Sequence, residues 1–171
     1  MDLQTNREEL VESDGTQPNT SVEIDKRDQI ADALCKATAD SYTLYAKTLG
    51  VHWNVQGSGF HGLHTMTEEQ YEELHEAADA IAERIRALGK LAPTGNEAFR
   101  QLTAIDNDAP HKPTMEMIAE LVADNETVAR RMDEFARLAD EAGDLFTHDM
   151  LVARIGQHEK NAWMLRASLT E

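Results

Sequence analysis

The chain has 171 residues, and its 32 acidic and 16 basic residues leave a formal net charge of −16 at pH 7. That length fits one domain around a single core, and so negative a charge disfavours binding to nucleic acid or to an anionic lipid surface. One cysteine, Cys35, cannot form a disulfide within the chain, and no apolar run approaches the roughly 18 residues of a transmembrane helix. Together with an acidic N-terminus that lacks an apolar signal-peptide core, these features predict a cytoplasmic protein that spans no membrane.

Residues 1–22 are polar and include Gly15 and Pro18, a composition typical of disorder. We therefore predict a disordered acidic N-terminal tail over residues 1–22 and one folded domain over residues 23–171. The only basic residue before Lys26 is Arg7, so the tail is expected to be a solvated extension that does not hold DNA.

Apolar and small residues at helical spacing predict a first helix over residues 25–54. Its core stripe consists of Ile30, Leu34, Ala37, Ser41, Leu44 and Thr48. Cys35 lies beside this stripe and is expected to be a small buried packing residue. The helix is expected to end near His52 and Trp53, and Trp53 to be a packing residue.

A second helix is predicted from Ser58, as N-cap, to Leu88, with Gly89 at its end. Its apolar stripe consists of Leu63, Tyr71, Leu74, Ala78, Ile81, Ile85 and Leu88. Five potential metal ligands recur at spacings of 4, 7, 4 and 4 along the border of this stripe: His64, Glu68, His75, Asp79 and Glu83. Imidazoles and carboxylates suit iron, manganese and zinc. A solvated acidic face is the alternative interpretation of the same pattern.

Helix geometry decides how these residues could share a metal. Glu68 and Asp79 are eleven residues apart, which is about 16 Å along a straight helix, whereas ligand bonds are only about 2 Å long. Two copies of the helix that cross antiparallel about a two-fold axis could bring them together. A ferritin-type site within one bundle needs two E-x-x-H motifs, and only one, from Glu72 to His75, is present on this helix.

The second half of the chain predicts three more helices. Pro93 and Gly95 break the chain before a short helix over residues 96–103, and a loop that contains an exposed His111 ends at Pro113. Thr114 is expected to cap a third long helix, whose core stripe is Ile118, Leu121, Asn125, Val128, Met132, Phe135 and Ala139. A fourth follows Gly143, with Leu151, Ile155, His158, Ala162, Leu165 and Leu169 as its stripe. His158 is therefore expected to be a buried, hydrogen-bonded histidine, and the methionines Met115, Met117, Met132, Met150 and Met164 to fill the core.

The run HWNVQGSGFHGLH, followed by D-x-x-A-E-R-I-x-x-L-G, resembles the signature of the Dps family, the miniature ferritins also called DNA-binding proteins from starved cells. The C-terminal run HEKNAWMLRA is similar to that family as well, and the resemblance covers roughly residues 24–169. It implies an all-α, ferritin-like four-helix bundle with a short extra helix between the second and third helices. It further implies a homo-oligomer, a hollow dodecamer with ferroxidase sites at its two-fold interfaces.

Carried over by position, the resemblance assigns His52, His64 and Glu68 of one subunit and Asp79 and Glu83 of its partner to the catalytic metal site. Glu68 departs from the aspartate common in the family, and His75 is a possible additional ligand. The family also lines its three-fold pores with acids near the start of the fourth helix. That position corresponds here to Asp144 and Asp149, with His148 between them. Helix capping is an alternative explanation for these acids.

The function predicted from the resemblance is iron storage and detoxification. Fe(II) would be oxidised with hydrogen peroxide and stored as mineralised Fe(III) in the shell, which protects against oxidative stress. Alternatives are a nucleoid-coating DNA-binding protein without strong ferroxidase activity, a structural helical assembly, and the same cage with zinc or manganese at the site. The charge makes DNA binding the weaker of these interpretations.

Overall fold

The computed structural model describes residues 20–106 and 112–170, which form five helices. They are α1 (Ile24–Asn54), α2 (Phe60–Ala87), α3 (Asn96–Leu102), α4 (Thr114–Glu141) and α5 (Leu145–Ala167). The predicted all-α bundle, with a short extra helix between the second and third long helices, is thus confirmed. Residues 1–19 of the predicted tail and His111 lie outside the described residues. In the described part of the chain, no helix is long and apolar enough to cross a membrane.

The long helices pack as two pairs, α1 with α2 and α4 with α5, and α1 joins the pairs by packing against α4. The side chains at the centre are almost completely shielded from solvent: Ile30, Leu34, Leu44, Leu74, Ile81, Ile85, Leu88, Ile118, Leu121, Met132, Leu151 and Leu165. Burial of each such side chain contributes about 1.5–3 kcal/mol. The core extends to Val22, which is 2% exposed and accepts a hydrogen bond from Nε of Arg27, so the packed chain begins ahead of α1.

Two isolated polar or reactive residues of the core behave as predicted. Cys35 is buried, and burial raises the pKa of its thiol to about 12, so it remains an uncharged packing group. His158 is completely buried, and its Nδ1 donates to Oδ1 of Asn125 at 3.0 Å. Burial, together with the neighbouring Arg154, lowers the pKa of His158 to about 3. The neutral ring therefore links α5 to α4.

A buried ion pair fixes the end of α3 against the bundle. The carboxylate of Asp40, which is fully buried, accepts hydrogen bonds from Arg131 at 2.6 and 2.7 Å. It also accepts from Oγ1 of Thr103 at 3.1 Å and from the backbone N–H of Ala104 at 2.8 Å. One side chain of α1 thereby holds both α4 and the segment that follows α3.

Both predicted hydroxyl caps are wrong. The helix α2 begins at Phe60, whose N–H donates to the carbonyl of Gly57 at 3.1 Å. Gly57 adopts a φ of +100°, and its carbonyl accepts the hydrogen bond from the N–H of Phe60. The hydroxyl of Ser58 therefore does not cap the helix. Thr114 is the first residue of α4, and its hydroxyl instead bonds the backbone N–H and carbonyl of Gln56 at 3.0 and 3.2 Å. It attaches the α1–α2 turn to the start of α4.

Two predicted packing residues are also exposed in the single chain. Met115 lies in the first turn of α4 with 49% of its surface exposed, and Trp53 is 68% exposed. Trp53 follows the buried His52 by one residue, which is a rotation of about 100° around the helix and turns the indole away from the core. The prediction that Met115 fills the core is therefore wrong, whereas Met117 and Met132 are buried as expected. A packing role for Trp53 beside the metal site stays a prediction.

Candidate metal centre

The chain reversal between α1 and α2 brings two histidines face to face. His52 lies in the last turn of α1 and His64 in the second turn of α2. The five-residue connection between the helices contains Gly57, whose positive φ few other residues adopt. As a result, the two imidazole rings stack with their centroids 3.7 Å apart and their planes 18° from parallel.

Reciprocal hydrogen bonds hold both rings in place. Nδ1 of His52 lies 2.8 Å from the carbonyl oxygen of His64, and Nδ1 of His64 lies 2.9 Å from the carbonyl oxygen of His52. A carbonyl oxygen can only accept, so each Nδ1 carries a proton, and in the neutral form of each ring the lone pair lies on Nε2. Backbone carbonyls that orient metal-binding histidines act in the same way. These hydrogen bonds orient both candidate ligands within the single chain.

Aromatic and hydroxyl side chains enclose the histidine pair. The ring of Phe60 stacks on His64 at 5.0 Å, and the ring of Tyr71 meets His52 edge-on at 5.2 Å. Thr67, which is completely buried, donates its hydroxyl to the carbonyl of Leu63 at 2.7 Å. Sequence reasoning gave Phe60, Thr67 and Tyr71 no part in the site, because helical periodicity does not distinguish a residue that contacts a ligand from its neighbours on the helix.

The carboxylates of the predicted site lie along the outside of α2. Glu68, Asp79 and Glu83 are all exposed, and Glu68 follows His64 by about one helical turn. Asp79 is fifteen residues beyond His64, a distance of about 22 Å along the axis. Within the described residues of a single chain, no three His, Cys, Asp or Glu side chains are grouped so that they could hold a metal ion. The predicted ligands of one chain thus fall into two separate groups, His52, His64 and Glu68 in one and Asp79 and Glu83 in the other.

The predicted additional ligand, His75, stands apart from the histidine pair. It is exposed, and its ring centroid lies 5.4 Å from that of Tyr45. It borders a shallow surface depression together with Tyr71, Glu72 and Glu76. A role for His75 as a metal ligand stays a prediction.

The structure places the two predicted pore acids differently. Asp144 is 2% exposed and caps α5 by accepting from the backbone N–H of Thr147 at 3.0 Å. Its carboxylate also accepts from Oγ1 of Thr147 and from Arg84. This geometry favours the capping explanation for Asp144 over a pore-lining or metal-binding one. Asp149 is exposed and His148 is half-buried, and their pore role stays a prediction.

Comparisons with known proteins agree with this architecture. A family model described as a ferritin-like domain matches residues 31–171. A low temperature-induced protein of a Nostoc species is 40% identical over 87% of this chain and 84% of its own length. The DNA protection during starvation protein 2 of Bacillus anthracis is 32% identical over 84% of this chain and 98% of its own. The solved Dps structure from Vibrio cholerae O1 is described as a member of the ferritin-like diiron-carboxylate superfamily. It superposes on this chain with a TM-score of 0.84 at 28% identity, and the match covers 92% of this chain and 100% of the Vibrio cholerae chain.

Proposed function

The chain belongs to the Dps family of ferritin-like proteins, and from that premise we propose that it is a ferroxidase that takes Fe(II) as substrate, oxidises it with hydrogen peroxide and stores Fe(III) inside a shell of twelve copies. Iron storage with ferroxidase-type chemistry is the function of the family. The observation that carries the assignment for this chain is the stacked pair of His52 and His64. Because Nδ1 of each ring bonds the other residue's carbonyl oxygen, Nε2 of each neutral ring is the atom left to bind a metal.

The proposed site forms where two copies of α2 cross antiparallel. One chain contributes His52, His64 and Glu68, and the site is completed by Asp79 and Glu83 of the partner subunit. Such a dimer holds two equivalent sites, because a two-fold interface is self-complementary. The exposure of all three carboxylates in the single chain supports this proposal, since an interchain ligand must be accessible before the interface forms.

The ligand types fit the proposed reaction. Two neutral imidazoles bind Fe(II) without adding charge, and the carboxylates stabilise Fe(III) more than Fe(II), because hard anionic oxygen prefers the harder ion. Each of two Fe(II) ions gives up one electron, and one hydrogen peroxide takes both electrons and two protons to become two water molecules. A site that supplies electrons in pairs therefore releases no hydroxyl radical.

Charge supports the proposed route of the cation to the site. The chain carries a net charge of −16, which attracts Fe(II) and repels DNA phosphates. We include Asp149 and His148 in the proposed entry pore, and we leave out Asp144, whose carboxylate is already occupied by Arg84 and Thr147. Use of zinc or manganese at the same site is the second candidate, because Glu68 replaces the aspartate common in the family.

Complementation between two defective variants tests the proposal most directly. One variant carries His52→Ala with His64→Ala, and the other carries Asp79→Ala with Glu83→Ala. Neither should oxidise Fe(II) efficiently alone, because every site lacks one half of its ligands. When the two are refolded together in equal amounts, about one quarter of all sites should regain a full ligand set, since only one of the two sites in each mixed dimer is complete.

The control is the same two variants assembled separately and then mixed as intact shells, which should show no recovery. Native mass spectrometry establishes that mixed shells have formed. Mixed shells that stay inactive would contradict the two-chain site. If both single-type shells instead oxidise Fe(II) with peroxide at the rate of the unaltered protein, the assignment of these ligands is wrong. If the unaltered protein oxidises no Fe(II), the proposed function itself is wrong.

A further inference from the structure

All three tyrosines of the chain lie in one continuous row of aromatic contacts that begins at the histidine pair. The ring of Tyr71 meets His52 at 5.2 Å and Tyr45 at 6.2 Å. Tyr45 in turn lies 5.8 Å from Tyr42, and Tyr42 stacks on Phe99 of α3 at 4.6 Å. Each of these centroid distances is in the range of direct ring contact.

The helices explain why the row is continuous. Tyr42 and Tyr45 are three residues apart and so lie on one face of α1, and His52 lies about two turns further along the same face. Tyr71 reaches across from α2 and contacts both Tyr45 and His52. The row therefore follows the groove between α1 and α2, away from the candidate metal centre and towards α3.

The far end of the row is open to solvent. Tyr42 is 38% exposed and, with Phe99, Arg100 and Thr103, lines a surface cavity of about 650 Å³ between α1 and α3. Neither tryptophan belongs to this system: Trp53 and Trp163 are 68% and 66% exposed and share no ring contact within the described residues. The only redox-active side chains joined to the histidine pair by ring contacts in this part of the chain are thus the three tyrosines.

We propose that this row is an electron path that protects the site when it holds a single Fe(II): Tyr71 supplies the second electron that hydrogen peroxide requires, and the resulting electron vacancy passes through Tyr45 to Tyr42. The inference rests on the proposed ferroxidase function and adds to it a fate for sites that are only half filled. The redox-active residues are Tyr71, Tyr45 and Tyr42.

The chemistry balances with the reactants already named. Fe(II) gives one electron and becomes Fe(III), while the phenol of Tyr71 gives one electron and its proton and becomes a neutral tyrosyl radical. Hydrogen peroxide takes both electrons, that proton and one more from solvent, its O–O bond breaks, and two water molecules form. Electron transfer from Tyr45 and then from Tyr42, each with transfer of a phenolic proton, moves the radical outward. At Tyr42 a dissolved reductant such as ascorbate donates a hydrogen atom and restores the phenol.

Rapid-freeze electron paramagnetic resonance on the assembled protein tests this path. Shells loaded anaerobically with one Fe(II) per site are mixed with hydrogen peroxide, and a tyrosyl signal is expected. Tyr71→Phe keeps the ring and its packing but removes the donor, so the tyrosyl signal should be lost. Tyr42→Phe should keep the signal but slow its quenching by added ascorbate, because the radical then stays at Tyr45 and Tyr71. Trp163→Phe is the matched control and should change neither property.

Each outcome decides a separate point. Iron oxidation, followed optically in the same samples, reports on the ferroxidase function independently of the radical. If Fe(II) is oxidised but no tyrosyl signal forms, or if the signal persists in Tyr71→Phe, the electron path is overturned while the proposed function stands. If the radical signal is lost in Trp53→Phe but persists in Tyr71→Phe, the electron path is likewise overturned. Equal ascorbate quenching in Tyr42→Phe and the unaltered protein would contradict the exit at Tyr42.

Discussion

Arg84 and Asp144 form an ion pair that joins the end of α2 to the start of α5. One terminal nitrogen of Arg84 lies 2.8 and 2.9 Å from the two carboxylate oxygens of Asp144, and Nε of the same side chain donates to Oγ1 of Thr147 at 2.9 Å. Arg84 directly follows Glu83, so this pair also fixes the turn of α2 that carries a proposed ligand. The cap of α5 therefore contacts the same turn of α2 that carries Glu83.

Replacing Asp144 by Asn should destabilise the fold. The change removes the charge partner of Arg84, of which only 12% of the side chain is exposed, and breaking such a partly buried pair costs about 3 kcal/mol. The measurement is the urea midpoint at a fixed protein concentration, because assembly contributes to apparent stability. Asp149→Asn, an exposed acid in the same helix, is the control. Equal midpoints for the two variants would show that Asp144 is not a stabilising cap.

The contribution of Asp144 should disappear in acid. Burial alone would raise the pKa of this carboxyl, but hydrogen bonds from Thr147 and Arg84 together lower the pKa below its ordinary value of 3.8. A carboxyl whose pKa is lower in the folded state stabilises the fold above its unfolded pKa and loses that effect as pH falls through the folded pKa. We expect the difference in urea midpoint between the unaltered protein and Asp144→Asn to be constant near neutral pH and to shrink below about pH 3.8. A difference that grows in acid would contradict the assignment.

Sequence patterns predicted the helices well because burial follows periodicity. The stripe residues Ile30, Leu34, Leu121 and Leu165 are all buried where the 3.6-residue period places them. Helix starts were predicted less well, since a hydroxyl can cap or can bond elsewhere, as Thr114 does with Gln56. The same ambiguity applied to Asp144, whose partner Arg84 is sixty residues away in sequence.

For the candidate site, the sequence pattern predicted ligands, but it did not predict the contacts that orient the two histidines. The spacing on α2 indicated that Glu68 and Asp79 could not serve one metal within one chain. The reciprocal bonds of His52 and His64 to each other's carbonyls could not be predicted, because they depend on how the turn at Gly57 closes. Local periodicity carries no information about such contacts between helices.

Removing the partner's half of the site should impair oxidation but not assembly. Asp79→Ala with Glu83→Ala deletes two carboxylates that are exposed in the single chain, so the shell should form normally. The initial rate of peroxide-driven Fe(II) oxidation should fall by at least about tenfold, which is the lower range for loss of groups that hold a metal site. The matched control is Glu72→Ala with Glu76→Ala, two exposed acids of the same helix. A similar loss in both double variants would indicate a general charge effect.

The assembled protein should not bind DNA through its surface charge. A net charge of −16 for each chain repels phosphates, and the repulsion is strongest at low salt, where screening is weakest. An electrophoretic mobility experiment at low ionic strength should therefore show no retarded band at protein concentrations that retard DNA with a basic control protein. A shift that weakens as salt is added would favour the nucleoid-coating alternative, whereas a shift that appears only with added divalent metal would indicate bridging by the cation.

Glu68 should matter through its charge and position more than through its length. It lies about one turn after His64, on the exposed side of α2, and its carboxylate is the only acid that the proposed site takes from the same chain as the histidines. Glu68→Gln keeps the size but removes the charge, and should weaken anaerobic Fe(II) binding by about tenfold or more. Glu68→Asp restores the residue common in the family and should stay within about threefold of the parent, because the ligand type is unchanged. Titration calorimetry with Fe(II), and in parallel with Zn(II), measures the metal affinity of both variants. If Glu68→Gln binds both metals like the parent while His75→Ala binds them weakly, His75 is the ligand at this position and the assignment of Glu68 is wrong.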